Sequence, residues 1–77
     1  MHLEIITPDK KLFTGEVTSV QVPGTAGQFQ VLKNHAPIIS TLTKGKVKIK
    51  SEQGDQTFDV NGGVIEVLKN NIIVLAE

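Results

Sequence analysis

No stretch of this chain repeats its apolar residues at helical spacing for long enough to build a helix. Short β-rich runs, each about five residues long, are cut instead by glycine, proline and asparagine. Residues 3–7 read as a strand ended by Pro8 and Asp9, and residues 12–14 as a short one stopping at Gly15. Residues 16–22 form a run whose apolar positions, Val17 and then Val20 and Val22, change parity, as at a bulge or in a strand covered on both faces. Pro23, Gly24 and Gly27 mark a turn with two positions open to positive φ, and Phe29 and Val31 then alternate with polar neighbours. A loop over 33–37 precedes a strand over 38–43, which Gly45 breaks. In residues 46–50 the alternation is strict: Val47 and Ile49 point to a core and the lysines to water. A turn at Gly54, a strand over 57–60, the Gly62-Gly63 pair and a hairpin joining 64–68 to 72–75 through Lys69, Asn70 and Asn71 complete the chain. Glycines inside a β region predict a kink or a close backbone approach. The expected fold is one all-β domain over residues 1–77, a small β-sandwich or flattened barrel of about eight to ten short, mostly antiparallel strands.

Composition narrows the function classes. Eight lysines balance eight carboxylates, so no net field draws the chain to nucleic acid or anionic lipid. With no cysteine, disulfides, thiolate chemistry and cysteine-based zinc sites are excluded. The longest apolar run, residues 72–76, falls far short of the roughly 20 residues a membrane helix needs, which predicts no direct membrane insertion. His35 is the only interior histidine, and no carboxylate neighbours it in sequence, so it reads as a loop residue bonding nearby backbone rather than a general base. Ser19, Ser40 and Ser51 lack a nucleophile motif, and no ligand spacing suits a metal. Gly24 and Gly27 are too close together for a phosphate loop, and no lysine followed by serine or threonine comes after them. No catalytic residue, metal or cofactor is expected. Lys44, Lys46, Lys48 and Lys50 form a basic stripe, which supports a rival reading as a nucleic-acid-binding β barrel. Such a barrel would also need exposed aromatic rings for stacking, and the three phenylalanines include two at core-type positions. The stripe reads instead as a solvated face that resists edge-to-edge aggregation.

Three segments carry a more specific signal. Residues 22–29, Val-Pro-Gly-Thr-Ala-Gly-Gln-Phe, resemble the V-P-G-x-x-G-x-F turn of the β domain of ATP synthase ε subunits. Residues 35–39, His-Ala-Pro-Ile-Ile, resemble the H-A-P-L-L signature of that family at the same distance downstream, and residues 62–67 are similar to its G-G-x-x-E-V segment. The resemblance spans essentially the whole chain in the right order. Gln30 stands where the family usually has glycine, Lys33-Asn34 where it has Pro-Gly, and Gln28 where many members carry glutamate. Asparagine at 34 keeps the left-handed turn accessible.

The resemblance implies a structural rotor subunit of the F-type proton-translocating ATP synthase, the foot of its central stalk. Such a subunit couples rotation of the c-ring to the γ subunit and is not itself catalytic. It implies a peripheral position on the cytoplasmic face of the energy-transducing membrane. Matched position by position, Ala26, Gly27 and Gln28 are expected to contact the polar loops of the c-ring, and His35, Ala36, Pro37, Thr41 and Thr43 to face the γ subunit. The family's C-terminal helical hairpin, which carries its brake on ATP hydrolysis, has no counterpart in these residues, so coupling without that brake is expected.

Overall fold

The computed structural model describes Met1–Glu77. Nine strands follow one another without a helix: β1 (His2–Ile6), β2 (Lys11–Glu16), β3 (Ser19–Gly24), β4 (Gly27–Leu32), β5 (Ile38–Leu42), β6 (Gly45–Ser51), β7 (Gly54–Val60), β8 (Gly63–Leu68) and β9 (Asn71–Ala76). They hydrogen-bond in the order β2-β1-β9-β8-β5-β3-β6-β7, and β4 pairs with β3. All pairings are antiparallel except β1 with β9. β5 and β3 meet through one residue pair, Gly24 with Leu42, and at this corner the sheet folds over on itself. The result is the expected all-β sandwich.

The core follows from the period-two alternation. Leu3, Ile5, Ile65, Val67, Ile72 and Val74 face inward from one half of the sheet. Val20, Val22, Val31, Val47 and Ile49 meet them from the other, all buried. Burial of each such side chain contributes about 1.5–3 kcal/mol. On the open side, Phe13 of β2 and Phe58 of β7 close the gap between the two ends of the sheet by an edge-to-face contact, with ring centroids 5.9 Å apart.

Several sequence expectations need correction. Gly15 does not stop a strand: it lies inside β2, paired with Leu3. The parity change after Val17 is not a bulge, because the chain leaves β2 at Glu16 and enters β3 at Ser19, with Val17 buried in the connection. β3 itself is covered on both faces, and of its residues only Gln21 is not buried. Of the two glycines around residue 25, only Gly27 takes positive φ. Gly24 is required by space instead: a Cβ there would meet the Gly27 carbonyl oxygen at 2.7 Å and the Phe29 ring at 2.8 Å. The last hairpin is tighter than expected. Leu68 pairs with Asn71, and Lys69 and Asn70 alone make the turn, both left-handed as a type I′ hairpin requires. Asn34 is left-handed as expected, with φ 65°. The Gly62-Gly63 pair marks a close approach: a Cβ on Gly63 would fall 2.1 Å from the carbonyl oxygen of Leu75.

Candidate functional site

The most unusual surface of this sandwich is apolar. On β9, Ile72, Val74 and Ala76 fill the core, so Ile73 and Leu75 must point outward. Cross-strand register arranges the outer face in rows. One row runs Ile39, Glu66, Ile73 and Glu4, and the next Thr41, Val64, Leu75 and Ile6. Ile39 is 75% exposed, Leu75 53% and Leu68 48%. A shallow depression of about 360 Å³, lined by Pro37, Ile38, Ile39, Glu66, Val67 and Leu68, adjoins the first row. Single exposed apolar residues need no explanation, but clusters in consecutive rows of one sheet face mark an interaction surface. Sequence reading did not single out this face. The signal was present: residues 72–75 are apolar at both parities, the mark of a strand covered on both sides.

The residues singled out from sequence fall into two groups. Ala26, Gly27 and Gln28 are exposed together at the tip of the β3–β4 hairpin. Thr41 and Thr43 stand at the same end of the molecule. The Thr25 backbone N–H donates to the Thr41 carbonyl at 3.1 Å, the two threonine hydroxyls share a hydrogen bond of 2.8 Å, and the Thr43 N–H donates to the Pro23 carbonyl at 2.8 Å. His35, Ala36 and Pro37 lie at the other end of β5, with Pro37 four positions before Thr41, about 13 Å at a strand's rise per residue. Their loop is fastened at two points. The His35 N–H donates to the Leu32 carbonyl at 3.1 Å, and the Asn34 N–H to Asn70 Oδ1 at 3.1 Å. Pro37 and Thr41 thus border the apolar face from opposite ends, and Thr41 links that face to the hairpin tip.

His35 Nδ1 lies 2.7 Å from the carbonyl oxygen of Ala36, and no carboxylate comes within ion-pair distance of the ring. No cluster of three metal-ligating side chains forms. In the lysine stripe, Lys46 pairs with Asp59 at 2.7 Å, Lys50 stands opposite Asp55, and Lys48 stands opposite Thr57. All three phenylalanines pack against the core, so no ring stands out beside the stripe to stack on a base. The Glu4 carboxyl is held below its ordinary value. The cause is first a hydrogen bond from Lys11, 2.9 Å away, and then the charge of that ammonium.

The family described as "ATP synthase, Delta/Epsilon chain, beta-sandwich domain" matches residues 1–77. The ATP synthase epsilon chain of Caulobacter vibrioides is 43% identical over 77 residues, covering 100% of this chain and 90% of that one. A chain in the cryo-EM structure of the Euglena gracilis mitochondrial ATP synthase, OSCP/F1/c-ring in rotational state 1, superposes with a TM-score of 0.88 at 19% identity, covering 96% of this chain and 48% of that chain. A chain of the Tetrahymena thermophila mitochondrial ATP synthase central stalk and c-ring superposes with a TM-score of 0.84 at 15% identity, covering 97% and 61% respectively. At these identities the two superpositions speak for the fold.

Proposed function

The chain belongs to the ATP synthase delta/epsilon β-sandwich family, and on that premise we propose that it works as a rotor element, the foot of the central stalk, carrying rotation between the c-ring and the γ subunit without reaction chemistry of its own. The observation that carries this reading is the apolar outer face of β5, β8 and β9, joined to the polar β3–β4 tip through the Thr25–Thr41 hydrogen bonds.

The γ subunit takes the apolar face, with Ile39, Leu75 and Leu68 as anchors and with Pro37 and Thr41 at its borders. Desolvated apolar side chains at the centre of a patch supply most of the energy of such contacts. His35 and Ala36 shape the loop that delivers Pro37 to the border. Ala26, Gly27 and Gln28 meet the polar loops of the c-ring, and Thr43 braces the base of that tip. Rotation is then passed through a close-packed interior of low compressibility. The chain sits peripherally on the cytoplasmic face of the energy-transducing membrane. These 77 residues contain no helix, so by themselves they support coupling without the hydrolysis brake of the family's helical hairpin.

The test is reconstitution with an ATP synthase stripped of its own ε subunit in inverted membrane vesicles. Added chain is expected to co-purify with γ and the c-ring, burying at least about 1,000 Å² in total. It is also expected to restore ATP-driven proton pumping without strong inhibition of hydrolysis. A chain that binds neither neighbour, or that leaves pumping unrestored, contradicts the reading.

A further inference from the structure

We propose that Asn61 is a site of spontaneous deamidation, begun by attack of the Gly62 amide nitrogen on the Asn61 carboxamide. Asn61 and Gly62 form the whole connection between β7 and β8. Asn61 is exposed, and its carboxamide takes part in no hydrogen bond. The Gly62 carbonyl accepts from the Glu77 N–H at 3.1 Å, but the Gly62 N–H donates to no backbone or side-chain acceptor. Gly62 is a buried residue whose amide lacks the protein acceptor that buried backbone groups usually find. Without a Cβ on Gly62, nothing shields the nitrogen from the side chain preceding it.

The other three asparagines lack this combination. The amide after Asn34 belongs to His35 and is already bonded to the Leu32 carbonyl. The Asn70 carboxamide is occupied by the Asn34 N–H, and the next residue, Asn71, closes the hairpin against Leu68. Asn71 precedes the β-branched Ile72, held in register between Leu3 and Val67.

The chemistry balances with water as the only co-reactant. The Gly62 nitrogen gives up its proton to hydroxide and bonds to Cγ of Asn61. The Cγ–Nδ2 bond breaks, and ammonia leaves with a proton drawn from water. Water then opens the resulting succinimide at either carbonyl, giving aspartate or isoaspartate, and nothing is oxidised or reduced. Either product adds a carboxylate to this connection, whose next residue, Gly62, has Glu77 Oε2 within 3.2 Å of where a Cβ would stand. Isoaspartate also adds a methylene to the main chain between Asn61 and Gly62, one residue ahead of Gly63, which is fixed in register against Leu42 and Ala76.

The test is to age the purified chain at mildly alkaline pH, folded and in denaturant, and map products by electron-transfer mass spectrometry, which separates aspartate from isoaspartate. Asn61 is expected to convert on the order of tenfold or more faster than any other asparagine of the folded chain, the factor that one lost hydrogen bond and its geometry supply. Its rate is expected to rise with pH and to stay within about tenfold of that in denaturant. Asn61→Gln is expected to remove the fast phase. Rapid conversion in denaturant with Asn61 intact in the folded chain would show that the fold protects it and overturn the proposal. Equal conversion at Asn34, Asn70 or Asn71 would overturn it too.

Discussion

Replacing Gly63 by alanine tests the tightest contact in the sandwich. Gly63 has φ 141°, and an added Cβ would fall 2.1 Å from the Leu75 carbonyl oxygen, 3.0 Å from its carbon and 3.1 Å from the Ala76 Cα. All three atoms are backbone, so no side chain can swing aside. Reaching ordinary contact requires β9 to retreat by about 1 Å or more at a residue paired with both Val64 and Ile6. Alanine at that φ costs about 1–3 kcal/mol by itself. Disturbing one or two ladder hydrogen bonds adds about 1–3 kcal/mol. The expected loss is about 2–6 kcal/mol, against a total stability of about 4–12 kcal/mol for a chain of this length. Gly27→Ala is the matched control, because its φ is 131° and a Cβ there meets nothing within 4 Å. Urea melts followed by circular dichroism are expected to show Gly63→Ala less stable than Gly27→Ala by at least about 1 kcal/mol, a gap of about 4–8 °C in Tm. Equal losses for the two variants would refute the argument, since φ strain alone would then account for both.

Three further outcomes follow from other parts of the structure. Ile49→Ala, at a core position 1% exposed, is expected to cost about 2–5 kcal/mol in denaturant melts. Ile39→Asp and Leu75→Asp, on the outer face, are expected to change stability by no more than about 1 kcal/mol. Each is expected to weaken binding to the γ subunit at least tenfold by calorimetry, about 1.4 kcal/mol. Lys11→Met removes the hydrogen bond and charge that depress the Glu4 carboxyl, so NMR titration is expected to find that carboxyl moved up toward the ordinary 4.5. A depressed carboxyl stabilises the fold above its unfolded pKa and loses that effect as pH falls through its folded one. The stability gap between Lys11→Met and the parent is therefore expected above that range and to close below it.

The strands were legible wherever side chains alternate and turns carry their own chemistry. Val47 and Ile49 announce the inward face of β6, and Asn34, Gly54 and Asn70 mark turns by tolerating left-handed backbone. Residues 16–22 misled because Val17 is apolar without being in a strand; it plugs the corner between β2 and β3, a tertiary role that local pattern cannot express. Gly15 misled for the opposite reason, since pairing with Leu3 holds it in a strand that its own propensity disfavours. The candidate site was legible in part. The hairpin tip at Ala26 follows from the glycines around it. The grouping of Thr41 with Thr25, about 13 Å from the His35 loop, depends on how β5 lies across the fold. The outward row of Ile39, Ile73 and Leu75 needs the register of three strands before it exists as a surface.

The parallel pairing of β1 with β9 sets a timetable for synthesis. Leu3 and Ile5 lie beside Ile72 and Val74, so β1 cannot complete its ladder until β9 has also emerged from the ribosome. Contacts of such long sequence separation slow folding, because the whole loop between them must close first. Through that interval the nascent β1–β2 hairpin carries an open edge and unburied leucine and isoleucine, the kind of surface that recruits chaperones or aggregates. Because the two strands run parallel, the end of β9 lies beside the end of β1 and a strand's length from its start, so a circular permutant with new termini in an exposed turn such as Glu52-Gln53 needs a crossover linker of about a dozen residues, not a tight turn, to make the slowest pairing more local.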